Sequence, residues 1–384
     1  MTIGESKLSL NLCAVGDVMP NREAPEKFFD HCAGVLGRFD IRMCQLETNF
    51  SERGSRGTAS RGPARAHPRN AAALKAGGFD VVNYASNHTL DWGVEAMTDT
   101  IELLHQNGIL VVGAANTVVQ AREPVILERQ GVRLAFLDFC SILPFGHWVD
   151  ESRPGIAPLR IRTLYEMLEP NQPGCPPVIF TYPNEEDLSA MLAAVGKARQ
   201  TADVVVLSLH WGLHFVPVRL AAYQRPVAHA AIDAGADIII GTHPHILKGI
   251  EVYRGKPVFY SLGNFALDSN FRTWPNLTRW QQQLLKTHDW VIDPDWAHTY
   301  PYPEAARKTI AVRCTVENKR IERVSFLPAI IDRDARPRIL SRQDREFDEV
   351  AAYMKSITEE AGLNARFMVE GDEVVIFTGN ESPA

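Results

Sequence analysis

The chain lacks paired cysteines, a basic excess and any long apolar run, and each absence removes a class of function. Its six cysteines (Cys13, Cys32, Cys44, Cys140, Cys175 and Cys314) are scattered, with no C-x-x-C pair. They read as reduced thiols, mostly core, and not as a disulfide framework or a zinc knuckle. Lys plus Arg total 40 against 46 for Asp plus Glu, a formal charge of −6. A phosphate-backbone binder needs a concentrated basic face, so no nucleic-acid partner is expected. No stretch approaches the ~18 continuous apolar residues of a membrane span. Residues 1–12 hold no apolar run preceded by basic residues, so neither a membrane association nor a secretory signal is expected, and the expected location is cytoplasmic. Hydrophobic residues at 45% and charged residues at 22% exclude disorder as the main state. The length of 384 residues suits two to three domains or one large α/β domain with additions. With no internal repeat and no clear linker, the simplest division is one domain over 1–330, carrying an insertion at about 270–305, and a C-terminal appendage over 331–384.

What is present is a positional pattern. Apolar runs that read as strands end repeatedly in a polar residue. Residues 8–15 lead to Gly16-Asp17, 41–46 to Glu47, and 79–84 to Ser86-Asn87-His88. Residues 203–209 lead to His210, 237–240 to Gly241-Thr242-His243-Pro244-His245, and 257–262 to Gly263-Asn264. The run 203–209 is continuously apolar, as in a strand covered on both faces. Helical spacing or punctuation predicts helices over 24–36, 69–76, 93–106, 188–199, 220–234 and 344–360. Hairpins are expected over 124–139, around Gln130-Gly131, and over 308–326, around Asn318. Residues 51–68 read as a loop, and 141–183 give no clear pattern.

In open α/β sheets, sites form beyond the carboxyl ends of strands, where loops converge. Two carboxylates (Asp17, Glu47), one amide (Asn87) and three imidazoles (His210, His243, His245) would meet there. That donor set suits a divalent ion such as Mn²⁺, Zn²⁺ or Fe²⁺ and not a thiolate site. It can serve one ion, or two ions roughly 4 Å apart that share a carboxylate. Each piece has a plainer reading. Asp17 can cap the following helix, Glu47 can pair with a nearby arginine, and Asn87-His88 can mark a turn. His210 after a buried strand is costly without a partner, and the two histidines of Gly-Thr-His-Pro-His are the most specific local signal.

The runs GDVM, QLET, SNHTLDWG, LHWG, GTHPH and YSLGNF resemble the CapA family of poly-γ-glutamate synthesis proteins, over roughly residues 10–270. The resemblance implies a calcineurin-like metallophosphoesterase fold: an α/β four-layer sandwich of two mixed sheets flanked by helices. It implies that Asp17 and His245 ligate one metal, that Asn87, His210 and His243 ligate the other, and that Glu47 bridges. It places His88 as a proton-donating or oxyanion-stabilising histidine, with Asp91 orienting it, and Asn264 near the substrate. Phosphoesterases of this fold open with Asp-x-His, whereas Met19 stands here, and Glu47 replaces an aspartate. These departures argue against phosphoester cleavage, and because CapA relatives share both, the family resemblance stands; its association with γ-linked glutamate implies hydrolysis of an amide or ester.

Such a site activates water through the ion and moves a proton through His88. The expected substrate is a small-molecule or peptide-like anion, with a γ-glutamyl-like bond as the candidate the resemblance implies. Arg65 and His67, in a loop with Arg53, Arg56 and Arg61, are candidates to hold its carboxylate, against the plainer reading of a solvated mobile loop. Two other classes compete: a metal-independent acid/base enzyme, such as a peptide epimerase on the same fold, and a non-enzymatic capsule component. Pro20, three residues after Asp17, departs from the Asp-x-x-His pair of the epimerase class. Trp211 reads as packing, and His147, His214 and His229 as surface or core. The segment 270–305 reads as a lid, a pocket wall or a homo-oligomer contact, with His288 and His298 of no assigned place.

Overall fold

The computed structural model describes residues 9–59, 64–268, 279–287, 290–297 and 299–376. The strand Ser9–Met19 lies inside a ten-stranded sheet. On one side it pairs in parallel with Ile41–Leu46, followed by Val81–Asn83 and Leu110–Val112. On the other it pairs antiparallel with Lys308–Glu317, whose hairpin partner is Arg320–Ile331. A second sheet of six strands has four central parallel strands: Lys256–Phe259, Ile238–Thr242, Val204–His210 and Val132–Cys140. Antiparallel strands Ile250–Tyr253 and Val125–Arg129 close its two edges.

The two-residue period of each strand separates the layers. Leu10, Leu12 and Ala14 meet Leu134, Phe136, Val204, Val206, Ile238 and Ile240 in the core between the sheets. Cys13 and Val15 point the other way, into a cluster with Leu74, Met97 and Leu104 from the helices Ala71–Ala76 and Gly93–Gln106. Val205, Leu207 and Ile239 point outward from the second sheet onto Met191, Val195, Val227 and Ala231 of the helices Glu185–Thr201 and Gln224–Ala234. Helix, sheet, sheet and helix are therefore stacked in four layers, and the central strands read as unbroken apolar runs because both faces are covered.

Three expectations need adjustment. The helix expected over 24–36 is a turn at Pro25–Lys27 and a short helix at Ala33–Leu36, an arrangement in which Phe28, Phe29 and Cys32 are all buried. Residues 331–376 are not peripheral. Glu373–Ile376 adds a strand to Arg320–Ile331, and helix Arg345–Glu360 buries Phe347, Val350 and Met354 in the core between the sheets. The unread segment 141–183 contains a two-stranded sheet of its own, Ile161–Met167 with Pro177–Pro183. Among the described residues no helix is long and apolar enough to cross a membrane.

Candidate metal centre

Polar bridges align the carboxyl ends of the two sheets. Asn83 Nδ2 donates to Ser208 Oγ at 2.8 Å, Thr242 Oγ1 to Gln45 Oε1 at 3.2 Å, and Ala85 N to Asp138 Oδ2 at 2.7 Å. All these groups are buried, so each link also satisfies polar atoms that water cannot reach. Strands from both sheets then deliver their terminal residues to one point.

Asp17 lies in register with Asn264, and its N–H donates to Gly263 O at 3.0 Å. Gly16 permits this approach, since a Cβ there would lie 1.9 Å from Gly263 O. Glu47 N donates to Val18 O at 3.0 Å, which sets its carboxylate beside Asp17. His243 and His245 have φ of 92° and 59°. Such left-handed conformations cost a non-glycine residue on the order of 1–3 kcal/mol and concentrate at functional sites. The turn brings His243 N to 3.3 Å from Asp17 Oδ2.

Two ligand groups result, Asp17–Glu47–His245 and Glu47–His210–His243, each with candidate atoms within 4.8 Å of one another and every member buried. Glu47 belongs to both. Asn87 joins the second group, with Oδ1 at 2.8 Å from His210 Nε2. The hydrogen-bond network assigns the His210 tautomer. Gln45 Nε2 donates to Asn83 O, so its Oε1 accepts from Thr242, and Thr242 Oγ1 is left to accept from His210 Nδ1–H at 3.0 Å. In the neutral imidazole, Nε2 then bears a lone pair facing Asn87 Oδ1 and, at 3.1 Å, Glu47 Oε1. Three lone pairs then converge, an arrangement that either a metal ion or a proton on Nε2 resolves. Asp17 Oδ1, Glu47 Oε1 and His243 Nδ1 are buried without a hydrogen-bond partner, which fits a metal ion.

Burial and the Glu47 charge hold the Asp17 carboxyl above the usual carboxylate range. Burial opposes ionisation of Glu47 too, but the imidazoles of His245 and His210 outweigh it and lower that carboxyl. Burial works against protonation of His245, yet Glu47 and Asp17 push it up. His243 is held well below the usual histidine range by burial and by the other imidazoles. His88 sits at the open side, its side chain 20% exposed. Its Nδ1 is 2.6 Å from Asp91 Oδ2, which also accepts from Ala64 N at 2.6 Å. Burial alone would lower His88, but Asp91 more than offsets it and the group is raised.

Other site expectations fare differently. Asn264 is not placed as a substrate contact: Oδ1 lies 2.8 Å from His245 Nδ1 and Nδ2 donates to Tyr300 Oη at 2.6 Å, so both ends of its buried amide are engaged, one on His245 and the other on Tyr300. Arg65 spends Nε on Ser51 O at 2.6 Å and Nη2 on Arg53 O at 2.9 Å, and its guanidinium lies over the Trp92 ring. Arg53 pairs with Asp99. These contacts brace the loop and do not leave Arg65 as a free carboxylate clamp. His67 is half-exposed and caps the turn at Arg69 N, 3.8 Å from Glu52. Arg61, Trp274, His288 and His298 lie outside the described residues.

His214 was missed. Its ring centroid is 3.9 Å from that of His243 and 5.2 Å from that of His245, and its Nε2 is buried without a hydrogen-bond partner. It follows the strand-ending His210 by four residues in an irregular turn, where no period could have placed it. Phe215, Trp290 and Tyr302 continue the wall, with Phe215 5.6 Å and Tyr302 6.0 Å from His245, so the described end of the 270–305 segment lines the site. His147 is buried against the Asn87 backbone. Trp211 is core, stacked on Tyr260, and His229 stacks on Tyr253 beside Glu251, as packing residues.

A four-layer α/β sandwich with carboxylates and imidazoles gathered at its strand ends defines a candidate metalloprotein. The family model described as "Bacterial capsule synthesis protein PGA_cap" matches residues 11–269, and the chain belongs to that family. It is 34% identical over 199 residues to the PGA biosynthesis protein CapA of Bacillus subtilis, covering 52% of this chain and 45% of that protein. It is 31% identical over 221 residues to the capsule biosynthesis protein CapA of Bacillus anthracis, covering 58% and 48%. An uncharacterized Sinorhizobium fredii protein, y4sH, is 31% identical over 309 residues, covering 67% and 66%. The chain thus spans about half to two thirds of the length of these relatives. Among solved structures, a hypothetical protein from Thermus thermophilus aligns with a TM-score of 0.47 at 14% identity, covering 83% and 98% of the two chains. The calcineurin-like phosphoesterase YfkN of Bacillus subtilis aligns with a TM-score of 0.40 at 11% identity, covering 93% and 100%.

Proposed function

We propose that the chain is a metal-dependent hydrolase acting on an amide or ester bond of an anionic, peptide-like substrate. The observation that carries this reading is the pair of buried ligand groups sharing Glu47, in which Asp17 Oδ1, Glu47 Oε1 and His243 Nδ1 have no hydrogen-bond partner. Asp17, Glu47 and His245 would hold one divalent ion, and Glu47, Asn87, His210 and His243 a second. A bound divalent ion of this kind, Mn²⁺, Zn²⁺ or Fe²⁺, lowers the pKa of water toward neutrality and polarises a carbonyl oxygen. Thr242 fixes the His210 tautomer, and Asn264 fixes His245. His88, held by Asp91 and partly open to solvent, carries the proton that a leaving amine or alcohol requires. The anionic character of the substrate is inferred from the capsule-polymer names of the relatives, because Arg53 and Arg65 are engaged within the protein.

The test is to strip the protein with a chelator, resupply Mn²⁺, Zn²⁺ or Fe²⁺ singly, and screen γ-glutamyl amides, lactones and phosphoesters. Metal-dependent cleavage of an amide or ester supports the reading. Tight metal binding without turnover on any of these would turn it to a non-enzymatic capsule component. Turnover that survives complete metal removal would turn it to acid/base chemistry.

A further inference from the structure

The strands Ile161–Met167 and Pro177–Pro183 pair only with each other among the described residues. A lone two-stranded ribbon is marginal in water. This one also exposes apolar side chains on both faces: Leu164 and Tyr182 on one, Tyr165, Met167 and Ile179 on the other, with Leu168 just beyond. They form the main concentration of exposed large hydrophobics among the described residues, six of the eleven. Such a concentration of exposed apolar side chains marks an interaction surface.

The two edges of the ribbon differ. Pro177-Val-Ile-Phe-Thr-Tyr-Pro183 has a proline at each end, a common way of blunting an edge. Ile161-Arg-Thr-Leu-Tyr-Glu-Met167 has no proline, glycine or lysine and no bulge against its partner, so its outer edge is open to pairing. Its sequence is self-complementary about Leu164. In an antiparallel pair of two such strands with the two-fold axis at Leu164, Arg162 stands opposite Glu166 of the second copy, twice. Ile161 meets Met167, and Thr163 meets Tyr165. Opposite charges and apolar pairs directly across strands stabilise a sheet, and like charges destabilise it. Within one chain Arg162 faces Tyr182 and Glu166 faces Val178, so neither charge has its complement across the hairpin.

We propose that a second copy of this chain docks here, through antiparallel edge pairing of Ile161–Met167 with itself, to give a two-fold dimer with a continuous four-stranded ribbon. A C₂ contact must be self-complementary, and this strand is. A membrane surface suits the apolar residues less well, because the ribbon carries Glu166 and Glu169 against the single Arg162 between Ile161 and Pro183.

Sedimentation equilibrium on the full chain and three variants tests the proposal, with circular dichroism confirming that each is folded. The wild type is expected to dimerise at or below about 100 μM. Arg162→Glu alone and Glu166→Arg alone each place like charges opposite one another twice, and each is expected to weaken the dimer at least tenfold. The double variant R162E/E166R restores the pairing and is expected to regain the wild-type constant. An equimolar mixture of the two single variants is expected to form heterodimers. A wild type that is monomeric at 100 μM overturns the proposal, as does a dimer unaffected by the single reversals. Failure of both the double variant and the mixture to recover association overturns the register.

Discussion

His210 Nε2 lies 3.1 Å from Glu47 Oε1, and both side chains are buried. The carboxylate arrives from the first sheet and the imidazole from the second. The contact therefore exists only when the sandwich has closed. The second oxygen, Oε2, is 3.7 Å from His245 Nδ1, so one carboxylate faces an imidazole from each candidate ligand group.

Asn264 supports His245 and through it the ligand group containing Asp17. Asn264→Ala is expected to lower metal affinity by roughly 10- to 100-fold, the usual cost of losing a group that orients a ligand. Titration of metal-free protein reads this directly. An unchanged affinity with a raised KM would instead return Asn264 to a substrate-contact role.

His88 gains its proton affinity from Asp91, against the effect of burial. In metal-free protein, NMR titration is expected to place His88 above the ordinary histidine value of 6.5. The Asp91→Asn variant is expected to bring it down. Because the folded value is raised, the stabilisation from this pair is complete below pH 6.5 and is lost as pH rises through the folded value. His88→Ala is expected to retain metal while losing roughly 10²- to 10⁴-fold in turnover. Loss of metal would make His88 a ligand.

Lys248 is buried and donates to the carbonyls of Val216 and Arg219, closing the turn that carries His214 and Phe215. Burial lowers it from 10.5 to about 7. The unfolded chain therefore binds the extra proton between about pH 7 and 10.5, and stability rises with pH across that window. The stability of wild type minus that of Lys248→Met, from urea melts, is expected to be more positive at pH 9 than at pH 6.5. A constant gap would show that Lys248 titrates as an exposed lysine.

Arg65 braces its own loop. Arg65→Ala is expected to lower Tm by roughly 2–5 °C and to speed proteolytic cutting within 51–66. Any KM change is expected to be equal for charged and neutral substrates. A selective loss on acidic substrates would restore the carboxylate-clamp role.

Much of the site was legible because strands announce themselves by apolar runs, and their ends are where an α/β sheet places function. Glu47, Asn87, His210, His243 and His245 stand at or just beyond such ends, Asp17 lies two residues before the end of Ser9–Met19, and the structure brings the six together. The four layers were expected from the family resemblance; the residues themselves showed, in the continuous run ending at His210, a strand covered on both faces. His214 was not, because its position depends on the path of an irregular turn. The direction of Asn264 depends on Tyr300, 36 residues away, and that of Arg65 on carbonyls of its own loop. Long-range hydrogen bonds of this kind leave no periodic trace. The integration of 331–376 into the first sheet is likewise a pairing of distant segments, Val324 with Ile376, that local pattern does not encode.

The sharing of Glu47 between two ion positions is tested most directly by metal stoichiometry. Wild type and Glu47→Gln, both stripped and reloaded with Mn²⁺ or Zn²⁺, are compared by elemental analysis after desalting, with folding verified by circular dichroism. The wild type is expected to retain up to two ions per chain, and the folded variant to lose most of both, because a neutral amide is a weaker ligand at either position. A folded Glu47→Gln protein that keeps the full wild-type complement would contradict a bridging role, and a wild type that retains no ion would contradict the metal centre itself.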